Sequence, residues 1–318
     1  MKSAMSILIL PAVALATWTY EGQWGGGVFY LPVSLAVAPA SGNVYVADGI
    51  WDRVSYFTPT GSLLGSWGGY GAGEGQFSWP AGIAVAPSTG YIYVTDSHNY
   101  RVQYFTPAGS FLGKWGSEGT GDGQFDDAGA IDVAPASGYV YVTDSGNTTG
   151  RVQYFTAAGS FLGKWGDYGT GDGQFRHPYG VAVAPGTGTV YVSDSLNDRV
   201  QYFTSTGSFL GKWGEYGTGD GQFKDPFGVA ANPDGGILYV ADSRNYRIQY
   251  FGPTGSFLGK WGQYGSGNGQ FVFPRDVDLT AAGTRAYVAD TDNHRIQYFT
   301  SDEVVTPASL GRIKALFK

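Results

Sequence analysis

Hydrophobic positions along this chain fall into short runs and do not follow a helical pattern. Within one stretch, Trp79 to Phe125, the runs are Gly82–Pro87, Tyr91–Asp96, Arg101–Thr106 and Ser110–Gly116. They are rich in β-branched and aromatic residues, and Gly, Pro, Asn or Ser residues separate them. Runs of this length and composition, bounded by turn-forming residues, predict β-strands. The stretch is therefore expected to form four strands and no helix.

The same arrangement recurs along the chain. The string Tyr-Val-x-Asp ends at Asp48, Asp96, Asp144, Asp194, Asp242 and Asp290, at intervals of 48, 48, 50, 48 and 48 residues. An arginine follows each aspartate by five residues, or by seven in the third copy, at Arg53, Arg101, Arg151, Arg199, Arg247 and Arg295. Four-stranded units of about 40 to 50 residues, repeated without intervening helices, are typical of propeller blades. Six such units are enough to close a ring.

The repeated residues resemble the NHL repeat. One unit reads Gly-Gln-Phe, then Pro-x-Gly-Val-Ala-Val, then Tyr-Val-x-Asp-Ser-x-Asn, and then Arg-Val-Gln followed by an aromatic residue. The resemblance covers Thr17 to about Thr300 and implies an all-β fold, a six-bladed β-propeller of four-stranded antiparallel blades. It does not imply one activity, because relatives bind RNA or proteins, or catalyse lyase and hydrolase reactions, on the same scaffold.

The segment Thr19–Gly25 has the residue pattern of the last strand of a unit. It aligns with Ser110–Gly116, whereas the sixth unit ends near Thr300 without such a strand of its own. We therefore expect the N-terminal strand to pair with the last blade and to close the ring, which removes two exposed sheet edges.

Composition narrows the classes of function. The 318 residues include 19 Lys or Arg and 26 Asp or Glu, a formal net charge of −7, whereas proteins that track nucleic-acid phosphates carry a basic surface. The absence of Cys excludes disulfides, thiolate metal sites and cysteine nucleophiles, and three His leave little room for a histidine-rich metal centre. Nucleic acid is therefore not the expected partner.

The two ends differ from the repeats. Lys2, the apolar run Ala4–Ala16 and its ending Ala14-Leu15-Ala16 have the form of a secretory signal peptide, and the run is too short to span a bilayer as a helix. A hydrophobic terminal strand is the alternative. Residues 302–318 have apolar residues at near-helical spacing with basic residues between them, which predicts an amphipathic tail. The expected organisation is a signal peptide at 1–16, a propeller at 17–301 and a tail at 302–318. The protein is expected to be exported by a bacterium and to be secreted or located at the cell surface.

Residues that recur in the units are assigned to the scaffold. Each aspartate of Tyr-Val-x-Asp is expected to accept hydrogen bonds from its turn, and the Asn three residues later to adopt a left-handed conformation. Each arginine is expected to bridge carboxylate and carbonyl groups between neighbouring blades. The tryptophans that end the outer strands should pack between blades, and the lysines before four of them should stay solvated.

The Gly-rich loops raise the question of a calcium site. Each carries one acidic or amide residue, at Glu74, Asp122, Asp172, Asp220 and Asn268. One oxygen ligand per blade does not make a cage of about six to eight oxygens. No cofactor is therefore expected, with Ca²⁺ as the minor alternative.

The units differ most between the Phe that ends each Gly-rich loop and the innermost strand. The resemblance implies that these segments share one face with the turns after Tyr-Val-x-Asp, near the mouth of the central channel. The candidate ligand-binding residues are Trp79, Asp127, Arg176, His177, Tyr179, Lys224, Asp225, Phe227, Phe273 and Arg275. Aromatic residues interleaved with charges of both signs suit a peptide, a glycan or a small polar ligand. The alternative is a variable surface without a ligand.

Three carboxylates are expected near the axis. Asp132 and Asp278 fall in innermost strands at a position where other units have Ala, and Asp276 lies nearby. Carboxylates are seldom buried so deeply, which marks them as candidate site residues. The alternative is that water in the channel solvates them.

Two classes of function stay open. The first is a secreted, non-catalytic binding scaffold that recognises a protein, peptide or glycan at the channel mouth. The second is a propeller enzyme of lyase or lactonase type with a metal near the channel, which needs several inward His or a converging carboxylate set. Only His177 is expected in a suitable loop, since His98 and His294 are expected in outer turns. Asp127, Asp132, Asp276 and Asp278 are the available carboxylates.

Overall fold

The computed structural model describes residues 17–146 and 149–301. The predicted signal peptide (1–16) and the predicted tail (302–318) lie outside these residues. Within the described part, the strands form six four-stranded antiparallel sheets, and the innermost strands of all six line one central channel. The predicted all-β, six-bladed propeller is confirmed.

The first three blades follow the chain without interruption after the N-terminal strand β1 (Trp18–Trp24). Blade 1 contains β2 (Pro32–Val37), β3 (Val44–Asp48), β4 (Arg53–Phe57) and β5 (Leu63–Gly68). Blade 2 contains β6 (Pro80–Val85), β7 (Ile92–Asp96), β8 (Arg101–Phe105) and β9 (Phe111–Trp115). Blade 3 contains β10 (Ala128–Val133), β11 (Val140–Asp144), β12 (Arg151–Phe155) and β13 (Phe161–Trp165).

The remaining three blades complete the ring. Blade 4 contains β14 (Pro178–Val183), β15 (Val190–Asp194), β16 (Arg199–Phe203) and β17 (Phe209–Trp213). Blade 5 contains β18 (Pro226–Ala231), β19 (Leu238–Asp242), β20 (Arg247–Phe251) and β21 (Phe257–Trp261). Blade 6 contains β22 (Pro274–Leu279), β23 (Arg285–Asp290), β24 (Arg295–Ser301) and β1.

Helical structure in the described residues is confined to single 3₁₀ turns after the second strand of a blade. They span Ser97–Asn99, Ser195–Asn197, Ser243–Asn245 and Thr291–Asn293. No helical segment in the described ranges has the length and apolar composition needed to cross a membrane.

The ring closes through β1. This strand pairs antiparallel with β24, with Trp18 opposite Ser301 and Trp24 opposite Ile296, and a bulge lies between Tyr20 and Gly22. The sixth blade therefore has the strand order β22-β23-β24-β1, with its outermost strand supplied by the N-terminal end of the described chain. The predicted closure is confirmed.

Burial along each blade follows its position in the ring. Every residue of the second strands β3, β7, β11, β15 and β19 is buried, because a neighbouring blade packs on each face. The outer strands β9 and β13 alternate between half-buried and exposed residues, since one face of the strand meets solvent. The core therefore consists of the layers between adjacent blades.

The tryptophans that end the outer strands pack between blades, as expected. Trp67 of blade 1 contacts Tyr45 of its own blade and Phe105 of blade 2, at ring-centroid distances of 6.2 and 5.5 Å. Gly109, with φ of 87°, crosses the Trp67 ring so closely that a Cβ atom there would lie 2.6 Å from it. Only glycine fits both this backbone conformation and this approach.

Candidate functional site

The repeated aspartate and arginine hold the segments that connect successive blades. In blade 2, Arg101 Nε donates to Asp96 Oδ2 at 2.7 Å, and its terminal nitrogens donate to the carbonyls of Ala72 and Gly73 at 2.8 and 2.9 Å. The backbone N–H of Ser78 donates to Asp96 Oδ1 at 2.7 Å. The arginine therefore joins a carboxylate to carbonyl groups, as expected, and those carbonyls belong to the connector between the two blades.

The asparagine of the turn has a different role from the expected one. The side chain of Asn99 donates to both carboxylate oxygens of Asp96 and to the carbonyl of Gly71, each at 2.9 Å. The left-handed residue is the next one, Tyr100, with φ of 55°. The prediction that the asparagine itself is left-handed is therefore wrong for the four described asparagines, because only within the 3₁₀ turn does the side chain reach both acceptors, while Asn147 lies outside the described residues. The equivalent left-handed residues elsewhere are Asp52, Gly150, Asp198, Tyr246 and His294.

The connectors and the turns after the second strands lie on one face of the disc. Their backbones are hydrogen-bonded: Ser97 N–H donates to the Trp79 carbonyl at 3.1 Å, and Ser145 N–H donates to the Asp127 carbonyl at 2.9 Å. We call this the mouth face. It comprises the starts of the innermost strands and the connectors 25–31, 69–79, 116–127, 166–177, 214–225 and 262–273. It also comprises the turns 49–52, 97–100, 145–146, 149–150, 195–198, 243–246 and 291–294. All the candidate ligand-binding residues lie on it.

Four of the candidate residues have a left-handed backbone. Trp79, His177, Asp225 and Phe273 have φ between 48° and 61°, and each precedes the proline that begins an innermost strand. For residues other than glycine this conformation costs about 1 kcal/mol or more. Since it recurs in four blades, it belongs to the connector scaffold. The side chain at this position is nevertheless different in each of the four.

Blades 4 to 6 bring together four candidates at the channel entrance. We call Tyr179, Phe227, Phe273 and Arg275 the entrance cluster. Ring centroids are 4.1 Å apart for Tyr179 and Phe227 and 5.4 Å apart for Phe227 and Phe273. The guanidinium carbon of Arg275 lies 5.6 Å from the Phe227 ring centroid and 5.4 Å from that of Phe273. The arginine is thus held over two aromatic rings, a favourable arrangement for a cation.

Several candidates surround this cluster without joining it. The ring of His177 stacks on Tyr179 at 5.9 Å, and Asp225 forms an ion pair with Arg244 of the adjacent turn. The ammonium group of Lys224 lies 5.2 Å from the ring centroid of Tyr216, towards the perimeter. Arg176 contributes its backbone N–H to Asp194 Oδ1 at 2.7 Å.

Trp79 and Asp127 form a second group, on blades 2 and 3. Trp79 stacks on His98 with a centroid distance of 5.7 Å and an interplanar angle of 19°. Asp127 accepts hydrogen bonds from the hydroxyls of Ser97 and Ser145. The candidates predicted from sequence therefore share one face, and Asp127 and His177, which line the same cavity, connect this group to the entrance cluster.

All three histidines lie on the mouth face. His98 and His177 line one cavity of about 310 Å³, together with Asp127, on the mouth face. His294 is hydrogen-bonded to the carbonyl of Tyr30, also on this face. His98 and His294 lie in turns that follow second strands, and neither residue lines the central channel. Within the described ranges, no three or more His, Cys, Asp or Glu side chains are grouped so as to hold a metal ion.

The three axial carboxylates line the channel, which has a volume of about 290 Å³. Asp132 Oδ2 accepts the backbone N–H of Val183 at 2.7 Å, and Asp278 Oδ2 accepts that of Val37 at 2.8 Å. Asp276 Oδ2 accepts the backbone N–H of Leu35 at 3.0 Å. Each carboxylate therefore joins its own innermost strand to that of the following blade. The corresponding position of Asp132 and Asp278 is alanine in the other blades, at Ala36, Ala84, Ala182 and Ala230.

Burial perturbs the protonation of these groups. It raises the pKa of Asp132 and of Asp278 to about 7 and that of Asp276 to about 6, although hydrogen bonds from backbone N–H groups oppose the increase. The negative charge of Asp276 adds to the rise in the pKa of the other two. Near neutral pH the channel therefore carries fewer than three negative charges.

The charges around Tyr179 define the electrostatics of the entrance. Burial raises the pKa of its hydroxyl, and the neighbouring Arg275 opposes that rise. Asp127 and Asp276 raise this pKa further through their negative charge. The hydroxyl is therefore within electrostatic reach of one cation and two carboxylates.

The mouth face also carries exposed apolar residues that were not predicted from the sequence. Ile50 and Trp51, in the first turn, are 45% and 37% exposed, and the adjacent Tyr30 is 52% exposed. The sequence contains a signal for them, since Gly49-Ile50-Trp51-Asp52 lacks the Ser or Thr and the Asn that the other turns share. Further exposed residues on this face are Tyr70, Tyr168, Leu196, Tyr216 and Tyr264.

The outer lysines are exposed, but they are also ion-paired. Lys212 and Lys260 each lie 2.6 Å from an acidic residue of a Gly-rich loop, Asp172 and Asp220 respectively. Equivalent pairs join Lys164 to Asp122 and Lys114 to Glu74. The acidic residues considered for calcium therefore each face a lysine at the perimeter and do not converge on one point.

Comparisons with known proteins agree with this architecture. The sequence profile of the NHL repeat matches residues 77–105 and 223–251, in blades 2 and 5. No curated protein matches the sequence significantly.

Among solved structures, several propellers share the fold. Hydrazine synthase of Kuenenia stuttgartiensis is 12% identical with a TM-score of 0.62, over 86% of this chain and 96% of that chain. A streptogramin B lyase is 13% identical with a TM-score of 0.58, over 84% and 78%. A gluconolactonase of Xanthomonas campestris is 14% identical with a TM-score of 0.61, over 86% of each. At these identities the likeness concerns the fold alone.

Proposed function

Because this chain is a six-bladed β-propeller built from NHL repeats, we propose that it is a non-catalytic binding protein that recognises a protein or peptide ligand on its mouth face. The uniform residues hold the blades and connectors in place. The mouth face presents residues that differ between blades and also an exposed tyrosine that recurs in four connectors, at Tyr70, Tyr168, Tyr216 and Tyr264.

One observation carries the proposal, namely the distribution of exposed apolar side chains. Of the fifteen large hydrophobic residues exposed in the described ranges, eight lie on the mouth face, and one, Tyr139, lies on the opposite face. The other six belong to the outer strands at the perimeter. A single exposed apolar residue needs no explanation, but their concentration on one face is typical of an interaction surface.

The residue types favour a protein or peptide over other ligands. Tyr, Trp and Arg are enriched at protein interfaces and supply most of their energetic hot spots. Six of the eight exposed residues on the mouth face are Tyr or Trp. The acidic residues Asp52, Asp127 and Asp225 on the same face disfavour a phosphate backbone.

An enzymatic function would draw on the axial carboxylates, whose raised pKa values suit proton transfer near neutral pH. The hydrogen bonds of Asp132 and Asp278 account for these residues without a substrate, because each carboxylate joins two innermost strands. The lyase and the gluconolactonase among the structural neighbours favour this second candidate only as examples of what the fold supports.

The binding proposal is tested with a displayed library of random peptides screened against the wild-type protein. Trp51→Ala and Tyr216→Ala remove exposed aromatic side chains from the mouth face, and Tyr139→Ala is the matched control on the opposite face. We expect each mouth-face variant to weaken an enriched peptide by about 10-fold or more, as for interface hot spots, and the control to bind as wild type. Binding that survives both variants, or that is found for glycans on an array and not for peptides, contradicts the proposal.

Export remains an expectation from residues 1–16. It is checked by sequencing the N-terminus of the mature protein, where a start at Thr17 is expected and a retained Met1 contradicts it.

A further inference from the structure

Arg275 differs from most arginines of this chain in having no carboxylate partner. Arg101, Arg199 and Arg247 each pair with the aspartate of their blade at 2.7 Å. Arg244, on the mouth face, pairs with Asp225. In the described part of the chain, no carboxylate lies within ion-pair distance of Arg275, although it lines the channel. A positive charge is therefore available at the channel entrance.

The guanidinium group of Arg275 lies among three aromatic side chains, those of Tyr179, Phe227 and Phe273. The ring centroids of Phe227 and Phe273 lie 5.6 and 5.4 Å from the guanidinium carbon, and the side chain of Arg275 is also hydrogen-bonded to that of Tyr179. Its Nε atom is buried and has no hydrogen-bond partner. A planar donor group that is pre-oriented by aromatic rings loses less side-chain entropy when it binds a planar acceptor.

The surrounding charges select the type of anion. The adjacent Tyr179 hydroxyl is influenced by the positive charge of Arg275 and by the negative charges of Asp127 and Asp276. A dianion such as phosphate would therefore meet two carboxylates and only one cation. A carboxylate carries one negative charge and matches the fork of a guanidinium group in a bidentate arrangement.

We propose that the entrance cluster is a carboxylate-binding subsite, in which Arg275 binds a carboxylate of the ligand and Phe227 and Phe273 pack against an apolar group beside it. The proposal deepens, and rests on, the proposed function as a peptide-binding protein. The carboxylate belongs either to the C-terminus of the ligand or to an acidic side chain. Both sources present the same planar group to Arg275.

The test uses small probes that do not depend on knowing the ligand. N-acetyl-L-phenylalanine and its C-terminal amide differ only in the carboxylate, and N-acetyl-L-glutamic acid α-amide presents a side-chain carboxylate. Each is titrated into the uniformly ¹⁵N-labelled full-length protein, and the Nε–H resonance of Arg275 is followed by NMR. Inorganic phosphate at neutral pH serves as the dianionic probe.

We expect N-acetyl-L-phenylalanine to bind about 10-fold or more tightly than its amide, as the loss of a charge-assisted hydrogen bond predicts. Arg275→Gln should abolish this difference. The matched control is Arg285→Gln, because Arg285 also lies over an aromatic ring, that of Tyr298, but does not line the channel. The control should retain the wild-type difference.

The outcomes separate the two proposals. Equal binding of acid and amide, the absence of any response of Arg275, or tighter binding of phosphate overturns the carboxylate subsite, whether or not Arg275→Gln folds. If peptides bind through Trp51 and Tyr216 regardless of their carboxylates, the proposed function stands and the subsite fails. If the acid binds at Arg275 and no peptide depends on the mouth face, the subsite stands and the proposed function fails. The glutamic acid probe decides which source of carboxylate is preferred.

Discussion

Arg53 and Arg247 occupy the same position in their blades but have different surroundings. Arg247 is buried, pairs with Asp242 at 2.7 Å and donates to carbonyls of its connector. Arg53 donates to the Val28 carbonyl at 2.7 Å and lies 4.4 Å from the Trp51 ring centroid, and its Nε has no partner. The difference arises because the connector into blade 1 is short and its turn has no asparagine. A residue that recurs in the sequence therefore does not have the same energetic role in every blade.

Alanine substitutions measure this difference. Arg247→Ala leaves the carboxylate of Asp242 buried without its cation, so we expect the free energy of unfolding to fall by about 3 to 5 kcal/mol. Arg53→Ala removes one hydrogen bond and a ring contact, so a loss of about 1 kcal/mol is expected. Urea denaturation of both variants and wild type gives the comparison. Equal losses would show that the buried ion pair is not what distinguishes the blades.

The N-terminal strand is the element on which ring closure depends. In the other blades, glycines such as Gly109 cross the tryptophan of the preceding blade, whereas Trp18 stacks on Trp261 at a centroid distance of 5.2 Å. Trp18 also contacts Tyr239 at 5.7 Å. This closure combines backbone pairing to β24 with aromatic packing onto blade 5.

Deletion of residues 17–25 tests this closure. The truncated protein would expose the edge of β24 and the ring of Trp261, so we expect a lower melting temperature and a tendency to aggregate through the free edge. Differential scanning calorimetry measures the first effect and light scattering the second. A synthetic peptide of residues 17–25 should restore part of the stability when added in excess. An unchanged melting temperature of the truncated protein would refute the role of β1.

At the scale of the whole molecule, the axial carboxylates distinguish particular boundaries between blades. Asp132 joins blades 3 and 4, and Asp276 and Asp278 join blades 6 and 1. These groups accept N–H donors of innermost strands that face the channel. The ionisation of these carboxylates is therefore coupled to the hydrogen bonds between the innermost strands of adjacent blades.

The coupling predicts a pH dependence of stability. Burial raises the pKa of Asp278 from 3.8 to about 7 in the folded state, so the folded protein keeps a proton that the unfolded chain has lost. The contribution of Asp278 to stability is thus fully present below about pH 4 and is lost as the pH rises through about 7. Asp278→Asn removes this ionisation. We therefore expect the free energy of unfolding of the variant to be lower than that of wild type at pH 5. At pH 8 this difference from wild type should be smaller.

Thermal denaturation at the two pH values measures this change. The exposed Asp234, on the opposite face, provides the control variant Asp234→Asn, whose difference from wild type should not vary in the same way. A difference between Asp278→Asn and wild type that is the same at pH 5 and pH 8 would contradict the proposed coupling.

Most of the candidate residues on the mouth face could be predicted from the sequence. Which of these residues contact one another could not. The variable segments before the innermost strands pointed to Trp79, Tyr179, Phe227 and Arg275, and the structure places them on one face. The stacking of His98 on Trp79 was missed, because it depends on the directions of two side chains on different segments, which the repeat pattern does not encode.

The sequence by itself determined the number of blades, their strands and the closure by β1. These follow from local chemistry, since strand runs and turn residues repeat at a fixed period and a missing strand is visible as a gap in that period. The tertiary structure decided which variable residues meet. The sequence places Tyr179, Phe227 and Arg275 at successive intervals of 48 residues. Only the rotation between neighbouring blades sets the distance and direction of each of these side chains relative to the next. The absence of a carboxylate partner for Arg275 in the described residues is a consequence of that packing. A repeat does not encode which residues of the neighbouring blades its own side chains meet.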